Sequence, residues 1–189
     1  MHTMTQQHEA APDLCNHTSV GVLLQRESDG KYLLFTRKKY PWGKAPSAGH
    51  VDELTFVGQA DEAAVFEAAA HRELEEETGL NASHLTLVLE AVTHYPCRRI
   101  NGSWHKWRVY HSLVSGQEAL QENATETRDL GWYSLADMAD LDRRAAAFEA
   151  GQIPEEEYRN NPGLEQVWRD FFRTLGLIVM EDEAHETAI

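Results

Sequence analysis

Residues 71–80 read HRELEEETGL, and this stretch restricts the fold more tightly than any other in the chain. Glu73, Glu76 and Glu77 stand at i, i+3 and i+4, so a helix puts their three carboxylates on one face. Each like-charged pair at that spacing destabilises an isolated helix by roughly 0.2–0.5 kcal/mol. Gly79 is a helix stop, which leaves the acids at the C-terminal end, where the helix dipole disfavours negative charge. Local physics opposes the arrangement unless solvent tolerates it or a cation offsets it. Hard divalent ions take oxygen ligands, and Mg²⁺ divides its shell among one or two carboxylates, water and phosphate oxygens. Arg72, one turn before Glu76, can orient a carboxylate by a charge-assisted hydrogen bond. Taken as a charge run alone, the stretch would more often be a solvated face.

The segments around it read as a mixed α/β layered domain. TSVGVLLQ (18–25) and KYLLFTRK (31–38) are β-rich runs joined by the turn signal ESDG. KYPWGKAPSAGHVDE follows as a loop ending in a short extended piece. The helix is expected from near Asp61, a good N-cap, to Thr78. Strands are expected within 84–95 and 105–114, with Asn101-Gly102 centring a hairpin between them, and again in DLGWYSL. Residues 134–151 and 163–177 have helical patterns, the second burying Val167, Phe171 and Leu175 with Trp168 and Phe172 beside them. Residues 1–14 and 177–189 read as mobile ends, the latter acidic, around a single domain at 15–176.

With 189 residues the chain can bury one sizeable core. No apolar run approaches the ~18–20 residues that span a bilayer, and the N-terminus lacks a secretory pattern. Two cysteines do not make a disulfide framework, so a cytoplasmic location is expected. The net charge of −14 disfavours gripping a nucleic acid duplex. An anionic substrate would need a local offset to that field, most simply divalent metal ions.

RELEEETGL matches R-E-U-x-E-E-x-G-U, with U aliphatic, at every fixed position. Average residue frequencies give such a match about once in 10⁶ starting points. It resembles the signature of the Nudix family, G-x5-E-x7-R-E-U-x-E-E-x-G-U. The resemblance implies an α/β/α sandwich with a mixed sheet and a loop–helix–loop motif that binds Mg²⁺ or Mn²⁺, in most members to cleave a diphosphate linked to another group. It makes Glu73, Glu76 and Glu77 metal ligands, Arg72 the orienting residue, and Ala69 the small residue that packs the helix on the sheet. One position departs: eight before Arg72 stands Ala64, where the family has glutamate, although Gly58 fits the first glycine. A better alignment runs through SAGHVDE, with Gly49 as the glycine whose carbonyl approaches the metal and LTFVGQA inserted before the helix. Asp52, Glu53 and Glu62 are then candidates for the missing carboxylate.

His17, His50 after Gly49, and Glu126 six before Trp132 also resemble positions of isopentenyl-diphosphate isomerases, a branch of the same superfamily. The catalytic cysteine of those enzymes corresponds to Ala48, which argues against that chemistry. Nudix hydrolases commonly draw a further ligand or base from beyond the box, and QENATETRDLGW supplies Glu122 and Glu126 there. A base must deprotonate the attacking water. Arg37 and Trp42 are candidates for substrate binding, by charge and by stacking on a nucleobase. A separate reading takes Cys15, His17, Cys97 and His105 as a tetrahedral zinc site: Cys15 and His17 would share one side of a strand, and Cys97 would face His105 across the hairpin. Two buried thiols behaving as small apolar groups are the simpler alternative. The expected activity is divalent-metal-dependent hydrolysis of a diphosphate linkage in a nucleoside diphosphate-type small molecule. No duplex or membrane partner is expected, and a homodimer is allowed. The rivals are a non-catalytic ligand-binding or regulatory module and an isomerase-like enzyme.

Overall fold

The computed structural model describes residues 14–52 and 61–179. The readings made for residues 1–13, for the inserted LTFVGQA, for Gly58 and Glu53, and for 180–189 lie outside the described residues.

Strand β1 (Thr18–Arg26) is the axis of a seven-stranded mixed sheet. Along one edge it runs parallel to the later strand at His105–Val114, from Thr18↔Lys106 to Arg26↔Val114. Its other edge meets β2 (Tyr32–Arg37) at Gln25↔Tyr32. After β3 (Lys44–Ala45) comes β4 (Ser47–His50), antiparallel to β1 from Ser19↔His50 to Val22↔Ser47. β5 (Thr86–Thr93) pairs antiparallel with β6, the His105–Val114 strand, while β7 (Thr127–Tyr133) and β3 both pair with β2.

Alternation along β1 divides its side chains between two cores. Val20, Val22 and Leu24 join Phe66, Ala69, Ala70 and Leu74 of α1 (Glu62–Thr78). Leu23 faces the other way and joins Trp168, Phe171 and Phe172 of α4 (Gln166–Thr174). The sheet is thus covered by helix on both faces, the three-layer arrangement expected. Gly21 shares the second face, and a Cβ there would sit 2.3 Å from the Trp168 ring, so the strand can carry no side chain where the indole packs. Burying each of Phe171 and Phe172 contributes roughly 1.5–3 kcal/mol. Buried Arg169 links α4 to Asp142 and Glu149 of α2 (Leu135–Glu149) at 2.6 and 2.5 Å.

Helix α1 begins and ends where its sequence signals stand. The Asp61 side chain accepts the Ala64 N–H at 3.3 Å, and Gly79 takes the left-handed conformation with φ 71°. α2 opens on a capping box between Ser134 and Asp137. The short α3 (Glu155–Asn160) was not anticipated, although Pro154 followed by three glutamates is a helix-start signal. Its Tyr158 stacks on Phe148 of α2, with ring centroids 3.9 Å apart.

The connection between β5 and β6 is centred near Arg99 rather than on Asn101-Gly102 as expected. The ladder closes at Thr93↔His105, so residues 94–104 form a long loop. Asn101, φ 62°, is the third residue of a turn inside it, closed by the Gly102 N–H to the Arg99 carbonyl at 3.1 Å. That is the place where a type II turn requires positive φ. Among the described residues no helix is long and apolar enough to cross a membrane.

Candidate active site

The C-terminal half of α1 packs against β4, and this contact brings its acids to the sheet. Glu77 is buried, and its Oε2 accepts the Ala48 N–H at 2.9 Å. Burial pushes its pKa up to about 8, the charge of Glu73 adds to that, and the Ala48 N–H opposes it. Glu73 is also raised by burial, against the opposing charge and hydrogen bond of Arg72. Arg72 donates to Glu73 Oε1 at 2.7 Å, to Glu76 Oε2 at 3.4 Å and to the His50 carbonyl at 3.1 Å. It therefore ties two of the glutamates to the end of β4. Gly49 lies directly on the Glu73 carboxylate: a Cβ would fall 2.0 Å from Glu73 Cδ. No residue with a side chain could let backbone and carboxylate meet so closely.

These groups line a cleft of about 410 Å³. Although the chain is acidic overall, Arg37, Lys39, Arg72, Arg98 and Arg99 all reach this cavity. Glu126 lines it too, 3.0 Å from Lys39 Nζ and 3.7 Å from Arg98. Burial alone would raise the Glu126 pKa, but the Lys39 hydrogen bond and the charges of Arg98 and Arg37 carry it below its ordinary value. Glu122 is placed differently. It is exposed, accepts the Leu130 N–H at 2.9 Å, and does not line the cleft. Arg37 is at the cleft, 3.5 Å from Glu165. Trp42 is not among the lining residues and packs under the Arg159 guanidinium, 5.1 Å away. Of the described candidates for the missing box carboxylate, Asp52 lines the cleft and pairs with Arg99, whereas Glu62 pairs with Lys106 at 2.5 Å away from it. Glu165, buried in the cleft wall and raised by burial, was missed. It precedes α4 in GLEQVW, a stretch whose pattern signals only a buried helix face.

Sulfur and nitrogen donors gather at the end of β4, where His50, Cys97 and His105 also line the cleft. Cys15, His50, Cys97 and His105 each present one donor atom, all within 4.8 Å of one another. His50 thus stands where the sequence reading placed His17. The reason is the backbone: His17 has φ 59°, so the two-apart rule of an extended strand does not hold between Cys15 and His17. The His17 ring instead stacks parallel on Trp104 at 4.4 Å, with Nδ1 2.9 Å from the Trp104 carbonyl oxygen, and His17 does not line the cleft. Burial lowers both imidazoles of the cluster, His50 to about 3 with Arg99 and His105 contributing.

The model of the NUDIX domain family matches residues 16–155. Among solved structures, the fold resembles the MutT protein from Methanosarcina mazei Go1, with TM-score 0.54, 16% identity and coverage of 87% of this chain and 95% of that one. It also resembles the E. coli dihydroneopterin triphosphate pyrophosphohydrolase, with TM-score 0.51, 17% identity and coverage of 67% and 86%. A third is the NUDIX domain of Shewanella oneidensis NrtR in complex with ADP ribose, with TM-score 0.50, 24% identity and coverage of 69% and 78%. No curated protein gives a significant match.

Proposed function

The chain belongs to the NUDIX domain family, and on that premise we propose that it is a divalent-metal-dependent hydrolase of diphosphate linkages in nucleoside diphosphate-type small molecules. The observation that carries this reading is the approach of the Gly49 backbone to Glu73, with Glu76 and Glu77 on the same helix face beside a cleft that both carboxylates and cations line. Crowding carboxylates into a buried wall disfavours their ionised forms, which fits a site that receives a cation. Glu73, Glu76 and Glu77, with the Gly49 carbonyl, would hold Mg²⁺ or Mn²⁺ through hard oxygen donors. When bound there, such an ion neutralises phosphate charge and lowers the pKa of coordinated water.

The chain's own residues supply the rest. Arg72 fixes the Glu73 and Glu76 carboxylates by charge-assisted hydrogen bonds. Arg37, Lys39 and Arg98 surround the space that a diphosphate would occupy and attract it despite the net charge of −14. Glu126, held ionised by Lys39 and Arg98, takes the proton of the water that attacks phosphorus. Ala48 offers no thiol to an isomerase mechanism, and its N–H is engaged by Glu77.

A panel of nucleoside diphosphate compounds tests the proposal, with Mg²⁺ or Mn²⁺ present and a coupled phosphatase reporting phosphate. The expected result is metal-dependent release from at least one compound, abolished in Glu76→Gln with the fold intact. Binding of panel members without release from any of them would assign the chain to the rival class, a ligand-binding module without turnover.

A further inference from the structure

We propose that Cys15, His50, Cys97 and His105 form a structural zinc site beside the cleft. Zinc bonds of about 2.3 Å to sulfur and about 2.0–2.1 Å to nitrogen, arranged tetrahedrally, hold donor atoms roughly 3.3–3.8 Å apart. Cys15 Sγ lies 3.2 Å from His105 Nε2 and 3.5 Å from His50 Nε2, and the whole set of four falls within 4.8 Å. Two thiols and two imidazoles are the donors that favour zinc over magnesium, whereas the α1 acids offer only oxygen.

The surroundings of the sulfurs point the same way. Cys15 Sγ accepts the His17 N–H and Cys97 Sγ accepts the Arg99 N–H, each at 3.3 Å and each from two residues onward. Such donors stabilise a thiolate more than a thiol, as partners of metal-bound sulfur do. The turn is shaped to seat the second sulfur: a Cβ at Gly102 would lie 2.1 Å from Cys97 Sγ. Backbone bonds join both cysteine segments to that turn, from the Cys15 N–H to the Ile100 carbonyl at 2.9 Å and from the Cys97 N–H to the Gly102 carbonyl at 2.8 Å. The donors are therefore held together by the fold.

On binding, Zn²⁺ enters and the two thiol protons leave to solvent, so the two thiolates cancel the cation's charge. With four protein ligands no coordination position stays open for substrate, which makes the site structural. It would join the segment before β1, the end of β4, the turn at 97–102 and the start of β6. Three of these reach the cleft directly: the end of β4, whose His50 carbonyl accepts Arg72, the turn, which carries Arg98 and Arg99 to the wall, and the start of β6, where His105 lines it. The zinc would thus fix one wall of the cleft. This inference does not rest on the hydrolase reading, because metal content and stability are measured without substrate.

The test uses the full chain without a histidine tag, expressed with zinc and purified under reductant without chelator. Elemental analysis should find about one zinc per chain, falling below about one-tenth in Cys97→Ser and in His50→Ala. His17→Ala and Glu76→Gln should keep it. Cobalt exchanged into the wild type should give the intense visible absorption of a tetrahedral site with thiolate charge transfer, a readout that needs no variant to fold. Weak octahedral absorption, wild-type protein that takes up neither metal, zinc retained in both Cys97→Ser and His50→Ala, or a Cys15–Cys97 disulfide under reductant would each overturn the proposal.

Discussion

Gly49 and His50 are adjacent in β4, yet they face different chemistries. Gly49 meets the carboxylate of Glu73 in a group of hard oxygen donors, all three supplied by one helix. His50 belongs to a sulfur and nitrogen cluster assembled from four separated segments. The first group crowds like charge, which Arg72 offsets in part. The second combines neutral imidazoles and thiols with N–H donors already aimed at the sulfurs. One strand end can serve both because its alternate side chains and its carbonyls point to different neighbours. On the proposed readings, the oxygen wall governs turnover while the sulfur wall governs order.

The most direct attempt to break that division is Glu76→Gln. Turnover should fall by about 10³-fold or more, since the lost stabilisation of phosphate charge is worth several kcal/mol. Thermal stability and zinc content should stay at wild-type values. If Glu76→Gln instead released zinc, the two walls would be one cooperative site. Circular dichroism, elemental analysis and phosphate release on the same preparations decide the matter.

The pH response of Glu77 sharpens the comparison. Its folded pKa, about 8, lies above the ordinary carboxylate value, so its contribution to stability is complete below the unfolded pKa near 4.5 and is lost as pH rises towards 8. Without divalent metal, the wild type should therefore lose on the order of 4 kcal/mol between those limits through this group. Glu77→Gln should be the more stable protein at pH 8 and lack that loss, as urea titrations at both pH values would show. Millimolar Mn²⁺ should restore the wild type at pH 8 but not help the variant equally. A wild type and variant with parallel pH profiles would mean that Glu77 is not buried as a charge at all.

How far the sequence disclosed these two walls follows from how each is assembled. The oxygen wall arises within one helix, so the 3.6-residue period already aligns Glu73, Glu76 and Glu77, and Asp61 and Gly79 mark its ends. The long strands were equally legible, because β-branched runs and turn residues act locally, whereas β3 and β4 fall in the stretch read as a loop ending in a short extended piece. The sulfur wall depends on register between distant segments. A positive φ at His17 turned that ring onto Trp104, and the longer β5–β6 loop moved Cys97 off the ladder. His50 could be singled out in the sequence, but nothing there pairs it with Cys15. Glu165 shows the same limit: its partner Arg37 is remote in sequence, and no local pattern joins them.

Gly49→Ala tests the seam between the walls. A Cβ placed 2.0 Å from Glu73 Cδ forces either the carboxylate or β4 to move by more than an ångström, which misplacement near a reacting centre turns into about 10²-fold in kcat. His50 would be displaced with it, so partial loss of zinc is expected as well. Wild-type kcat in Gly49→Ala would show that the carboxylate can turn aside freely and that the close approach has no catalytic meaning.

The smallest effects separate two carboxylates on one loop. Glu126 lines the cleft and is kept ionised by Lys39 and Arg98, whereas Glu122 is turned outward to hold the Leu130 N–H. Base catalysis commonly contributes about 10²-fold or more, and coordinated water that is already acidified needs the least help. Glu126→Gln should therefore reduce kcat by at most about 10²-fold and remove the acidic limb of the pH–rate profile. That limb should lie below the ordinary glutamate range, because the neighbouring cations depress its pKa. Glu122→Ala should leave kcat and the profile unchanged while costing about 1 kcal/mol through the lost hydrogen bond. The acidic limb is the deciding observation: if it survives in Glu126→Gln, the proton leaves through another group of the cleft, and Glu126 serves only to position Lys39 and Arg98.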